Sequence, residues 1–133
     1  MVGEEAKRLH KSGYNCAQSV LAALREYTGL DDATALAVSG GFGGGLRCGE
    51  ICGVVSGAVM ALGMACPYND CSDQVSKDKI AALAKEMTAV CKAQFNGLRC
   101  ADIKGVTASC DEYIAFAAEA AEKIIQREKA QED

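Results

Sequence analysis

Hydrophobic and polar positions alternate with a helical period over most of the chain. Residues 15–27 carry an apolar stripe at Val20, Leu21 and Leu24, and residues 73–96 repeat the pattern. Apolar residues spaced three or four positions apart lie on one face of a helix. The chain is therefore predicted to be built from helices that bury one face each.

Capping residues and glycines divide the chain into helices. Asn15 with Gln18, and Ser109 with Glu112, have the spacing of capping boxes at helix starts. We predict five main helices, over 4–10, 15–27, 51–66, 73–96 and from Ser109 onward, and a short helix from Asp31 or Asp32 to Val38. The predicted fold class is all-α, a single-domain bundle over residues 1–133, since no linker or repeat interrupts it.

The segment 49–65, GEICGVVSGAVMALGMA, predicts a buried central helix. Its uncharged run from Ile51 to Cys66 is shorter than the roughly 20 residues of a membrane span, so we expect none. Small residues every four positions form a stripe that lets a neighbouring helix backbone come close. The stripe consists of Gly49, Gly53, Gly57 and Ala61.

Composition narrows the classes of function. Hydrophobic residues make up 50% and charged residues 24%, which excludes a disordered chain. A net charge of −4 with no basic run argues against nucleic acid as a partner. The opening MVGEEAKRLHKSG has no apolar signal-peptide core, so we expect a cytoplasmic protein. In that reducing compartment, clustered cysteines serve as metal ligands or redox thiols more often than as structural bridges.

The chain contains eight cysteines, and none of them forms a CxxC pair. This excludes thioredoxin-type motifs, zinc ribbons built on CxxC, the bacterial ferredoxin run and c-type haem attachment. Their positions are Cys16, Cys48, Cys52, Cys66, Cys71, Cys91, Cys100 and Cys110.

Three cysteines coincide with predicted helix starts. Cys16 and Cys110 directly follow their caps, and Cys52 lies in the first turn of the central helix. Unpaired N–H groups there lower a thiol pKa and favour the thiolate, which binds metals and attacks disulfides. The alternative for any one of them is a small buried side chain, and this is the interpretation we adopt for Cys91. Cys48 ends the glycine loop close to Cys52 and is a further candidate ligand.

Other candidates surround these cysteines. The loop SGGFGGG lacks the lysine of a phosphate loop, and Gly43, Gly44 and Gly45 are candidates to bring backbone amides to a cofactor. Glu50 is expected to stabilise a helix start, and the alternative role is proton transfer next to a thiolate. The only histidine, His10, is expected to be a solvated residue at a helix end.

These residues resemble the redox-active family named for its C_GCAxxG_C_C pattern. The matching segments are YNCAQSVL, GGFGGG, CGVVSGAVMALG, FNGLRC and the last cysteine. The resemblance implies that the family cysteines are Cys16, Cys52, Cys100 and Cys110, with Val54 departing from an expected alanine. A similar domain occurs in split-Soret cytochromes, where an iron–sulfur cluster is expected.

The sequence favours the first of three functions, with the other two as alternatives. The first is electron transfer by an iron–sulfur cluster held by Cys16, Cys52, Cys100 and Cys110. The second is thiol–disulfide exchange by the same cysteines without a cofactor, and the third is a structural zinc site. We expect a redox partner protein and leave a homodimer open. No polar constellation for a small substrate is visible, so an enzyme, if this is one, would be an oxidoreductase. The sequence assigns no role to Cys66 and Cys71.

Overall fold

The computed structural model describes residues 1–100 and 110–132, with only the backbone of Cys110 and Glu132. The described part is all-α, as predicted, apart from one isolated β-bridge. Its helices are α1 (Val2–Lys11), α2 (Cys16–Ala23), α3 (Arg25–Thr28), α4 (Asp32–Ser39), α5 (Gly53–Ala65), α6 (Gln74–Phe95) and α7 (Cys110–Glu132). None of these helices combines the length and apolarity needed to cross a bilayer.

Helix α5 is the centre of the bundle, and α2, α6 and α7 pack around it. The fully buried side chains between them include Leu21, Leu62, Met87 and Ile114. The predicted small-residue stripe is confirmed where α5 crosses α2. A Cβ atom added to Gly57 would lie 2.7 Å from the carbonyl oxygen of Ala17, so the two backbones are in direct contact.

The helix starts follow the predicted caps. The backbone N–H of Gln18 donates to Asn15 Oδ1 at 2.9 Å, and the Asn15 N–H donates back to Gln18 Oε1 at 3.0 Å. The predicted single helix over 15–27 is wrong, because the chain breaks at Leu24 into α2 and α3. The Arg25 guanidinium donates to the Ala22 carbonyl at 2.9 Å and so satisfies an acceptor at the end of α2. The predicted cap Ser109 lies outside the described residues.

The segment between α4 and α5 contains two features that the helical pattern of the sequence did not predict, a turn of positive φ and a short β-bridge. Four consecutive residues have positive φ, namely Gly44 (64°), Gly45 (63°), Leu46 (62°) and Arg47 (63°). Ile51 then forms an antiparallel bridge with Arg99. The Cys52 N–H donates to the Leu98 carbonyl at 2.7 Å, and the Cys100 N–H donates to the Glu50 carbonyl at 2.6 Å. This short ladder joins the start of α5 to the segment that follows α6.

Candidate functional site

Cys16 and Cys52 form a pair of thiols where α2 meets α5. Cys16 is the first residue of α2, and Cys52 is the N-cap of α5 instead of lying in its first turn as predicted. Neither is in a disulfide, and the Cys52 thiol donates a hydrogen bond to the sulfur of Cys16. Cys16 is half-buried, whereas Cys52 is only 7% exposed. The two helix starts thus bring together two cysteines that are 36 positions apart.

The surroundings of the pair favour a thiolate on one sulfur only. The hydrogen bond from Cys52, assisted by the backbone N–H groups of Gly44, Ala17 and Gly53, lowers the pKa of Cys16 to about 6. The hydrogen bond to Cys16, together with burial, raises the pKa of Cys52. At neutral pH the arrangement therefore holds an ionised Cys16 against a protonated Cys52.

Glycine at position 53 makes this contact geometrically possible. A Cβ atom on Gly53 would overlap the Cys16 sulfur. Without a side chain there, the sulfur can approach the first N–H groups of α5, which have no acceptor within their own helix. The small-residue stripe therefore serves the thiol site as well as helix packing.

Cys100 lies next to the pair through the short ladder. Residues 52 and 100 point to the same face of the ladder, because side chains alternate along each strand. Cys100 contributes to the raised pKa of Cys52 through charge repulsion. Cys16, Cys52 and Cys100 together line a cavity of about 220 Å³ that opens to solvent.

Two basic residues that line this cavity were not predicted as functional. His10 lines it and is half-buried, and its Nδ1 lies 2.9 Å from Asp111 Oδ1, so the expectation of a solvated histidine is wrong. Arg47 lines it from the turn with positive φ. The sequence signals were slight: His10 follows the buried Leu9 on α1, and Arg47 follows a glycine run.

The glycine loop contacts the cysteines through individual backbone N–H and C=O groups. Gly44 donates its N–H to Cys16, and Gly45 accepts a hydrogen bond from the Cys48 thiol at 3.5 Å. Gly43 is buried against the side chain of Asn15, where a Cβ atom would overlap it.

The remaining predicted residues lie apart from the cavity. Cys48 is exposed and does not line it. The Glu50 carboxylate is exposed and pairs with Arg99 at 3.4 Å, although its backbone carbonyl holds Cys100. Cys91 is fully buried in the core, as predicted, and burial raises its pKa to about 12.

The cysteines not yet described are Cys66, Cys71 and the fourth family cysteine, Cys110. Cys66 is buried at the end of α5, and Cys71 is exposed in the loop that follows. Cys110 begins α7, as predicted, but its side chain lies outside the described part of the structure. Within that part, no three histidine, cysteine, aspartate or glutamate side chains are gathered as a metal site would require.

Comparison with known proteins identifies a family for this chain. Residues 14–124 match the model of the family described as "Putative redox-active protein (C_GCAxxG_C_C)", a match that includes the thiol pair, Cys100 and Cys110. No curated protein matches the chain. No solved structure matches it either. With most of its length matched, the chain belongs to the C_GCAxxG_C_C family of redox-active proteins.

Proposed function

We propose that this protein carries out thiol–disulfide exchange with Cys16 as the attacking thiolate and Cys52 as the resolving thiol. The observation that carries the proposal is the hydrogen bond from the Cys52 thiol to the Cys16 sulfur, on which three backbone N–H groups also converge. A thiolate is the nucleophile of disulfide exchange, and a thiol in contact with it is placed to resolve the mixed disulfide.

The exchange proceeds in two balanced steps. The Cys16 thiolate attacks one sulfur of a partner disulfide, whose S–S bond breaks, and the departing sulfur takes up a proton from solvent. Cys52 then gives up its proton and attacks the Cys16 sulfur, which releases the second partner sulfur as a thiol. The protein loses two electrons and gains an intramolecular disulfide, and the partner disulfide gains two electrons and becomes two thiols.

The unequal environments of the two cysteines support this division of roles. Cys16 is ionised at neutral pH and faces the cavity, so it meets an incoming disulfide first. Cys52 is nearly inaccessible and stays protonated until the mixed disulfide removes the negative charge beside it. A low-pKa thiol is also a good leaving group, so the reverse reaction at Cys16 is fast.

Peptide mapping by mass spectrometry tests the proposal. The reduced full chain is equilibrated in glutathione buffers of increasing oxidised fraction, and we expect a disulfide between Cys16 and Cys52 to form. Cys16→Ser and Cys52→Ser should each abolish it, whereas Cys91→Ala, which removes a core thiol, should leave it intact. A bridge that does not form at any buffer ratio would overturn the proposal.

A second function, cluster or metal binding, is favoured by a separate observation. Cys16, Cys52 and Cys100 line one cavity without being gathered as a preformed metal site, and Cys110 precedes Asp111, which is hydrogen-bonded to the cavity residue His10. Four thiolates match the ligand set of an iron–sulfur cluster or of a structural zinc ion. A cluster held there would supply one-electron transfer.

Anaerobic purification separates the two functions. If the function is thiol–disulfide exchange, the chain is colourless and metal-free, and the number of titratable thiols changes in pairs on reduction. Under the second, it contains iron and sulfide, or zinc, in stoichiometric amounts that Cys16→Ser and Cys52→Ser remove and Cys91→Ala retains. That second result would replace thiol exchange as the function of this site.

A further inference from the structure

The thiol cavity is lined by one cationic side chain that has no acidic partner among the residues the structure describes. The chain has five arginines. Four of them pair with carboxylates: Arg8 with Glu5, Arg25 with Glu5 at 2.7 Å, Arg99 with Glu50 at 3.4 Å, and Arg127 with Glu86 at 2.7 Å. Within residues 1–100 and 110–132, Arg47 pairs with no carboxylate. Its charge is therefore available to a ligand in an otherwise acidic protein.

The backbone holds Arg47 in an unfavourable conformation. Arg47 and Leu46 have φ values of 63° and 62°, in the left-handed region that residues with a Cβ atom avoid. Such strain persists where the surrounding structure enforces it, and it is concentrated at ligand sites. The turn thereby places Arg47 among the residues that line the cavity with Cys16 and Cys52.

The size of the cavity restricts what can reach the thiols. Its volume of about 220 Å³ equals that of about seven water molecules and is below the roughly 300 Å³ at which sites for drug-sized ligands begin. Because Cys16 is half-buried and Cys52 nearly inaccessible, a disulfide must enter the cavity to react. A small, flexible molecule fits this space.

We infer, resting on the proposed thiol exchange, that the substrate is a small disulfide or thiol that carries a carboxylate. The guanidinium of Arg47 binds the carboxylate, and the sulfur lies against Cys16. Arginine matches a carboxylate with two parallel N–H donors, which fixes orientation as well as binding. A positive group at the mouth of the cavity also concentrates anions locally despite the net charge of −4.

Stopped-flow oxidation of the reduced full chain tests the inference with three matched disulfides. These are 3,3′-dithiodipropionate, which is anionic, 2-hydroxyethyl disulfide, which is neutral, and cystamine, which is cationic. Each rate is divided by the rate of the same disulfide with N-acetylcysteine amide. We expect the anionic compound to be preferred over the neutral one by about tenfold, as one charged hydrogen-bonded contact provides. Cystamine should be the slowest.

Arg47→Gln should bring that preference to about one. Arg99→Gln is the matched control, because Arg99 is paired with Glu50 and does not line the cavity, and it should keep the preference. Independently of either variant, raising the salt concentration should weaken the preference of the unmodified protein.

The outcomes separate the inference from the proposed function. Equal normalised rates for all three disulfides, or a preference that survives both Arg47→Gln and high salt, would overturn the carboxylate inference and leave thiol exchange standing. If none of the three disulfides oxidises Cys16 and Cys52, the proposed function itself fails.

Discussion

Cys91 and Cys16, one in the core and one at a helix start, have opposite chemistry. Cys91 is fully enclosed by apolar side chains of the core, and burial raises its pKa to about 12. Cys16, half-buried at the start of α2, receives hydrogen bonds from Cys52 and from three backbone N–H groups, and its pKa falls to about 6. Burial alone raises the pKa of a thiol and leaves it unreactive. Several hydrogen-bond donors that converge on the sulfur lower the pKa and favour the reactive thiolate.

The difference comes from the helix ends. Cys16 lies where α2 and α5 both begin, so unpaired N–H groups of two helices face one sulfur. Cys91 lies within α6, where backbone N–H groups are already bonded to carbonyls of the preceding turn. The same side chain is therefore a core residue in one place and a candidate nucleophile in the other.

The largest expected difference is in reactivity toward iodoacetamide. At pH 7, about nine-tenths of Cys16 and about one part in 10⁵ of Cys91 should be ionised, given pKa values of about 6 and about 12. Cys16 should be alkylated at least about a thousandfold faster. Its rate should fall below pH 6, where the thiolate is protonated, and level off above it. Quantitative peptide mass spectrometry across pH measures both residues, and a Cys16 midpoint near its ordinary value of 9.0 would contradict the comparison.

A Cβ atom at Gly57 should damage the thiol region by separating α2 from α5. The added atom in Gly57→Ala would lie 2.7 Å from the Ala17 carbonyl oxygen, so we expect the free energy of unfolding to fall by about 2 kcal/mol. The alkylation midpoint of Cys16 should rise as its donors move away. Gly63→Ala, on the same helix with nothing within 4 Å, should instead stabilise by about 0.5–1 kcal/mol in urea titrations. If Gly57→Ala and Gly63→Ala changed the stability and the Cys16 midpoint equally, the close approach of the α2 and α5 backbones would not be what holds Cys16 and Cys52 together.

Removing the α2 cap should have a smaller effect. Asn15→Ala loses the acceptor of the Gln18 N–H, and we expect about 1 kcal/mol less stability and a higher Cys16 midpoint. Asp31→Ala removes the equivalent cap of α4, whose side chain accepts from the Thr34 N–H at 3.1 Å. Asp31→Ala should lower the stability by a similar amount without changing the alkylation midpoint of Cys16. A shifted midpoint in both variants would trace the effect to global loosening.

The smallest effect concerns the turn beside the thiols. Leu46→Gly relieves a left-handed residue and should stabilise the protein by up to about 1 kcal/mol. Val38→Gly, at an equally exposed apolar position within α4, should destabilise by about 1 kcal/mol. Thermal melts of the two variants should therefore shift in opposite directions, and a loss of stability in Leu46→Gly would show that the turn is not strained.

Local features of the sequence determined much of the fold. The helical period, the capping box at Asn15 and the small residues at 53 and 57 are read from spacings of three or four positions, and the structure confirms them. The same local rules marked Cys16 and Cys52 as residues at helix starts. The break at Leu24 was missed because the apolar stripe of residues 15–27 runs through it.

Only the tertiary structure decided which groups meet. A thiol pKa depends on donors within a few ångströms. Apart from its helix neighbour Ala17, the donors of Cys16 are Cys52, Gly44 and Gly53, which packing alone brings to this sulfur. The pairing of His10 with Asp111 and the position of Arg47 are likewise contacts between distant or strained segments. Periodicity places a side chain on the face of its own helix, but it contains no information about which other segment that face will meet.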